Sequence, residues 1–286
     1  MLSVKRLEEI TRLLERQGSV DVNDLSARLG VTPKTIRQDL AKLEELGLLQ
    51  RVHGGAILKQ SGNDGIYPIR ERKRHNLAEK ERIGRAALKY VEEGDTIILD
   101  GGSTTMALAR LLGEKPIVAI TNDMLIAMEL MNKENVTLYV TGGKLRREGV
   151  FTLLGREAER IVKRYNANKL FLGTSALDFR QGLMVLSEDE AGIKRAMIAS
   201  AKEVICLVDY SKFHKSALVS FATFKDIQIM ITDARIPEED QAFLRDQGDY
   251  SGGCLTSLPT RRSASYCSSL KDSGSPANVR SFPIGF

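Results

Sequence analysis

The sequence predicts an α/β protein in two parts, an N-terminal winged helix-turn-helix and a C-terminal domain on a largely parallel sheet. Three observations carry this. At roughly 100–200 residues per domain, 286 residues make about two domains. The first 58 residues hold three amphipathic helical patterns and then a glycine-tipped hairpin. After Ala78, short apolar runs alternate with helical patterns, the signature of buried parallel strands joined by crossover helices.

In the first helix, over residues 4–16, Leu7, Ile10, Leu13 and Leu14 share one face, and Gly18 stops it. Asp21 is placed to cap a second helix carrying Val22, Leu25 and Leu29, which ends at Gly30. Thr32-Pro33 is a cap followed by a first-turn proline. It opens a third helix that runs to about Leu46 with Ile36, Leu40 and Leu43 inward. Residues 48–52 read as a strand, His53-Gly54-Gly55 as a turn and Ala56-Ile57-Leu58 as the returning strand.

Residues 59–78 are polar and basic, with Gly62, Gly65 and Pro68, and read as a linker. A helix with Ile83, Ala87, Tyr90 and Val91 closes at Gly94. Strands follow at Thr96–Leu99, Ile117–Ile120, Val136–Val140, Leu170–Leu172, Val204–Val208 and Ile227–Ile231. Helices are expected at about 104–113, 123–132, 155–166 and 190–202. The predicted domains are therefore 1–58 and 79–248. Residues 249–286 hold nine serines and no hydrophobic period, too little apolar surface to offset ordering entropy, so disorder is expected there.

The composition, 42% hydrophobic and 28% charged, excludes a disordered chain, a collagen and a disulfide scaffold. No apolar run approaches the roughly 18 residues of a membrane span, and MLSVKRLEEI lacks the apolar stretch of a signal peptide. A cytoplasmic protein with no membrane partner is the expectation. Cys206, Cys254 and Cys267 have no zinc spacing, and His53, His75 and His214 are scattered, so neither a metal nor a cofactor is expected. The net charge is +5, yet residues 83–248 hold 22 Lys/Arg against 23 Asp/Glu, so the excess lies at the front and in the tail.

Two constellations point to chemistry. On the third helix, Lys34, Thr35, Arg37 and Gln38 lie opposite the core positions, behind the Thr32 cap. In a helix-turn-helix that side enters the major groove, where arginine and lysine reach guanine edges or phosphates and glutamine pairs with adenine. Arg51, His53 and Gly54 place the wing near the backbone or minor groove, and Arg70, Arg72, Lys73 and Arg74 add charge. The plain alternative is a surface helix with solvated charges, and for the linker cluster that alternative is the stronger one.

The second constellation is Asp100-Gly101-Gly102-Ser103-Thr104-Thr105, between a strand and a helix. Glycines there let backbone N–H groups face an anion at a helix N-terminus. It is neither a dinucleotide fingerprint nor a nucleoside-triphosphate loop. Other polar strand ends are Thr121-Asn122-Asp123, Thr141-Gly142-Gly143-Lys144, Gly173-Thr174-Ser175 and Asp209 to Lys212, where ligands of parallel α/β sheets bind. Steric need in tight turns is the competing reading. Glu188, Asp189 and Glu190 precede a helix starting near Ala191, where the helix dipole alone explains them.

These residues resemble the DeoR family of bacterial transcriptional regulators. The resemblance rests on Thr35-Ile36-Arg37-Gln38-Asp39-Leu40, on His53-Gly54-Gly55-Ala56, and on Asp100–Thr105, Thr121-Asn122, Thr141-Gly142-Gly143, Glu188 with Glu190-Ala191, and Asp209 with Ser211-Lys212-Phe213. It implies a repressor of a sugar or sugar-alcohol catabolic operon that binds double-stranded operator DNA as a dimer or tetramer and is released by a phosphorylated sugar. It also implies a sensor domain similar in fold to ribose-5-phosphate isomerases and CoA transferases. The effector residues would be Asp100, Gly101, Gly102, Ser103, Thr104, Thr105, Thr121, Asn122, Gly142, Gly143, Lys144, Gly173, Glu188 and Lys212. Gln38 stands where the family commonly has arginine, and after Gly248 the serine-rich tail replaces the usual final strand. A sugar-phosphate isomerase or deaminase with an accessory DNA-binding domain, using Glu188, Glu190 or Asp209 as acid and base, is the alternative from another class. An activator of the same architecture is the third reading.

Overall fold

A computed structural model describes residues 3–58, 75–146 and 151–246. Most of the predicted linker, with its arginine cluster, and the predicted disordered tail lie outside the described residues.

The N-terminal part is α1 (Ser3–Gln17), β1 (Ser19–Asp21), α2 (Val22–Leu29), α3 (Pro33–Glu45), β2 (Leu49–Val52) and β3 (Gly55–Leu58). The caps act as their residue types require: Asp21 accepts from the N–H groups of Asn23 and Asp24 at 2.7 and 3.1 Å, and Thr32 from that of Thr35 at 3.3 Å. The sequence reading lacks β1, which pairs antiparallel with β3 and makes the wing three-stranded. Three residues are too short to show a period. Its trace in the sequence is Gly55, where a Cβ would stand 2.0 Å from the Val20 carbonyl oxygen.

α4 spans Leu77–Leu88, and the Asn76 side-chain amide donates to Asp209 at 3.1 Å, so the end of the expected linker is ordered against the second part. The elements that follow are β4 (Thr96–Leu99), α5 (Ser103–Leu111), β5 (Ile117–Thr121), α6 (Met124–Leu130), β6 (Val136–Val140), β7 (Lys144–Arg146), β8 (Thr152–Leu154), α7 (Arg156–Val162) and β9 (Ala167–Leu172). Then come β10 (Ala176–Asp178), β11 (Gly182–Val185), α8 (Glu188–Ala199), β12 (Ala201–Leu207), a 3-10 turn (Tyr210–Lys212), β13 (Val219–Ala222), β14 (Ile229–Ile231) and α9 (Glu238–Asp246).

Six strands form one parallel sheet in the order β14-β12-β9-β4-β5-β6. Successive residues feed opposite faces: Ile98, Ile120, Leu170 and Leu172 enter one buried cluster, and Ile97, Leu99, Ala119 and Phe171 the other. Burial on both faces is why these strands read as continuous apolar runs. Helices α4 and α5 pack in close contact: a Cβ on Gly84 would stand 2.8 Å from the Ala107 carbonyl carbon.

The antiparallel sheet β10-β11-β13 and the β7-β8 hairpin are absent from the sequence reading, as is α9. Every residue of β11 is buried, so it shows no polar alternation to betray a strand. The acidic trio also needs correction. Helix α8 starts at Glu188 behind the Ser187 cap, so Glu188, Asp189 and Glu190 form its first turn rather than precede it. A third buried cluster holds the winged-helix core, with Leu7, Ile10, Ile36 and Leu40, and continues into Ala176, Met184, Leu186 and Ala217 of the second domain. The two parts thus share one apolar seam.

Candidate functional site

On α3, Ile36, Leu40 and Leu43 are buried, while Lys34, Arg37 and Gln38 are exposed on the opposite side. Thr35 is half-buried, and its N–H and hydroxyl meet the Thr32 hydroxyl, the two oxygens 3.0 Å apart. At the wing, His53 and Gly54 are exposed at the tip. Arg51 is also exposed, but its Nε donates to Glu44 at 2.7 Å, which commits part of its charge within the fold. Asp39, on the buried side of α3, receives Arg6 of α1 through two hydrogen bonds of 2.5 and 3.0 Å. This pair ties the reading helix to the first helix.

The second site is a cavity of about 490 Å³ at the carboxyl ends of β4, β5, β9 and β12. Asp100 to Thr105 enter it from the β4–α5 loop, Asn122 and Asp123 from β5, Gly173 to Ser175 from β9, and Asp209 and Lys212 from β12. Helix α8 adds Glu190, Ile193 and Lys194, and β8 adds Thr152. Leu125, Met128, Leu154 and Leu207 form an apolar wall.

The loop is fixed by a hydrogen bond and by close packing. The Gly101 N–H donates to Asn122 at 3.0 Å, and a Cβ on Gly101 would stand 2.3 Å from the Thr152 methyl. No side chain caps the N-terminus of α5, so its positive end faces the cavity. The Asp100 carboxylate accepts from Gly173 N–H at 2.8 Å and from Lys194, whose ammonium also reaches the Gly173 carbonyl at 3.0 Å. Burial pushes the Asp100 carboxyl up, against the pull of Lys194 and the Gly173 N–H.

Asp209 lies on the other side. Burial acts to raise it, but Lys212, the Ser211 hydroxyl and N–H, and Lys80 outweigh that and hold it below the usual carboxylate range. Its Oδ2 and the Thr152 hydroxyl are buried, line the cavity and have no hydrogen-bond partner among the described residues. A buried polar group without a partner is costly, so both are ready to meet the hydroxyls of a ligand. Among the described residues no group of three His, Cys, Asp or Glu side chains is placed to hold a metal ion, and no helix is long and apolar enough to cross a membrane.

The structure therefore gathers Asp100 to Thr105, Asn122, Gly173 and Lys212 around one cavity. Thr121 is beneath it: its hydroxyl donates to Leu99 O at 2.8 Å and accepts from Asp123 N–H at 3.1 Å. Gly142, Gly143 and Lys144 lie outside. A Cβ on Gly143, at φ +123°, would stand 2.7 Å from the Leu154 carbonyl oxygen, so this turn is glycine for packing. Glu188 is also outside, exposed beside Arg195 at 3.8 Å, because the first position of α8 faces solvent. The sequence reading omitted Lys194, whose signal is its place on the buried stripe of Ala191, Ile193 and Met197, four residues after Glu190. Asp209 is expected among the polar strand ends, Glu190 beside a helix start, and both as acid–base candidates of the enzyme alternative, but neither among the effector residues.

Comparison with known proteins agrees on both parts. Residues 6–62 match the DeoR-like helix-turn-helix domain and residues 75–234 the DeoR C-terminal sensor domain. The chain is 38% identical over 246 residues, 85% of its length and 91% of the relative's, to a putative aga operon transcriptional repressor of Escherichia coli O157:H7. It is 33% identical to the glycerol-3-phosphate regulon repressor of Escherichia coli K12, over 86% of this chain and 97% of that one. A solved ribose 5-phosphate isomerase of Methanocaldococcus jannaschii aligns at TM-score 0.34 and 21% identity, over 47% of this chain and 53% of that one. The two domain matches, in this order along one chain, and relatives of this identity and coverage make the protein a member of the DeoR family of transcriptional regulators.

Proposed function

We propose that the protein is a DNA-binding repressor of a sugar or sugar-alcohol catabolic operon, released when a phosphorylated sugar occupies the cavity at the strand ends. The observation that carries the reading is the pairing of two chemistries in that cavity. The uncapped N-terminus of α5, with Lys212 on the same cavity, suits a phosphate. The unpartnered Asp209 Oδ2 and Thr152 hydroxyl suit the hydroxyls of a sugar. The relatives are named as regulators and repressors, one of them of a glycerol-3-phosphate regulon, which favours a sensor over an enzyme here.

DNA is read by Lys34, Arg37 and Gln38, with Thr32, Thr35, Arg51, His53 and Gly54 contacting the backbone. A dimer or tetramer places two such helices on repeated half-sites. The effector residues are Asp100 to Thr105, Asn122, Gly173, Lys194, Asp209 and Lys212. A ligand shifts operator affinity only by its differential affinity for the two states, about tenfold for each 1.4 kcal/mol. The test is an operator-binding titration with glycerol 3-phosphate, ribose 5-phosphate and glucosamine 6-phosphate. Release of DNA by one of them supports the reading, and tight DNA binding unmoved by any of them overturns the choice of these effectors.

A further inference from the structure

We propose that Glu190 is the positioning residue through which the cavity controls the seat of the DNA-binding domain. Glu190 lines the cavity. One of its carboxylate oxygens pairs with Arg146 at 2.7 Å. The other accepts the Leu186 N–H at 3.2 Å and lies 3.4 Å from the Ser187 hydroxyl. Leu186 and Met184 are buried in the same cluster as Leu7, Ile10 and Leu40 of the winged helix. One side chain therefore touches the ligand space and the backbone of the residue on which the other domain rests. Both Glu190 and Arg146 are largely buried, 13% and 14% exposed, so water screens the arrangement little.

A second strut runs alongside. Glu8 of α1 accepts the Glu188 N–H at 2.6 Å, at the N-terminus of the same helix α8 that carries Glu190 and Lys194. Met184, Leu186, Glu188, Glu190 and Lys194 thus fall within eleven residues that start in the winged-helix core and end in the cavity. This inference rests on the ligand reading above. A sugar hydroxyl that donates to Glu190 draws the carboxylate from the Leu186 N–H. That loosens Leu186 and Met184 under α1 and lowers operator affinity.

The test needs no ligand. Operator duplex is selected by the full-length wild-type chain from a random-sequence library, and its affinity is measured for variants with nothing added. E190A and E8A are expected to weaken binding about fivefold or more. E190Q keeps an oxygen for the Leu186 N–H but leaves Arg146 without its counter-charge, so its binding is expected to fall between that of E190A and wild type. D189A, which removes a neighbouring first-turn acid outside both contacts, is expected to stay within about twofold of wild type. Hydrogen exchange separates this from a general loss of fold: the Leu186 amide exchanges faster in E190A, while amides of the parallel sheet stay protected.

Wild-type-like or tighter operator binding by E190A overturns the proposal, as does equal weakening by D189A. If E190A does not fold, E190Q decides: weakened binding with faster exchange of the Leu186 amide supports the proposal, and wild-type binding and exchange overturn it. Failure of every sugar phosphate to move the wild type sinks the effector reading and leaves this measurement standing.

Discussion

Arg6 and Asp39 bind each other through two hydrogen bonds, their side chains only 10% and 7% exposed, and this pair fixes α3 to α1 from behind. A buried pair is harmful chiefly when half of it is removed, because the remaining charge is left without compensation. Asp39→Ala is expected to cost roughly 3 kcal/mol of stability. Urea unfolding of the wild type and D39A measures it, and a difference under about 0.5 kcal/mol would show the pair to be dispensable.

Arg37 is exposed on the reading side of α3 and has no shared duty in the core. Arg37→Ala is expected to weaken operator binding by roughly 1–3 kcal/mol, the range of a bidentate base contact, with the unfolding curve unchanged. Fluorescence anisotropy on an operator duplex reads this directly. Unaltered affinity would place Arg37 off the DNA.

Ser103 opens α5 at the cavity. Ser103→Glu puts a negative charge where a phosphate would lie, so DNA binding is expected to persist while release by a sugar phosphate is lost. An S103E protein still released by the wild-type effector would move the anion elsewhere.

Asp209 predicts a pH dependence. Its carboxyl is held below the usual carboxylate range in the folded protein, so its stabilising contribution is present at neutral pH and lost as pH falls through that lowered value. Asp209→Asn is therefore expected to lower the melting temperature near pH 7 and to narrow its gap to the wild type on acidification. Melting curves from pH 7 to pH 3 check this, and a gap that widens in acid would reverse the assignment.

The Cys206 thiol is fully buried and pushed up to about 12 by that burial. In a C254S/C267S background it is expected to resist a thiol-reactive reagent at pH 8 until the domain unfolds. Rapid labelling of the native protein would contradict its place in the sheet.

Much of the fold was legible because the parallel strands are apolar on both faces and the first three helices carry their own stops and caps. Ile97 and Ile98 both being buried makes a visible run, and Asp21 and Thr32 announce helices by residue type. What stayed hidden depends on partners distant in sequence. β1 is three residues known only by its pairing with β3, and β11 is recognisable only once β10 and β13 flank it. The same holds for the cavity. The Asp100–Thr105 loop is local and readable, whereas Lys194 enters from a helix 94 positions away from Asp100. The Gly142-Gly143 turn is the opposite case: its glycines lie against Ile161 and the Leu154 backbone, outside the cavity lining.

The bond between Asp100 and Lys194 has a consequence for how the sensor reports concentration. Because Lys194 already has its counter-charge from the same domain, a guest anion is met by the α5 N-terminus and Lys212 rather than by Lys194. An incoming metabolite must be recognised by the whole arrangement of hydroxyl and phosphate partners rather than by hunger for negative charge alone.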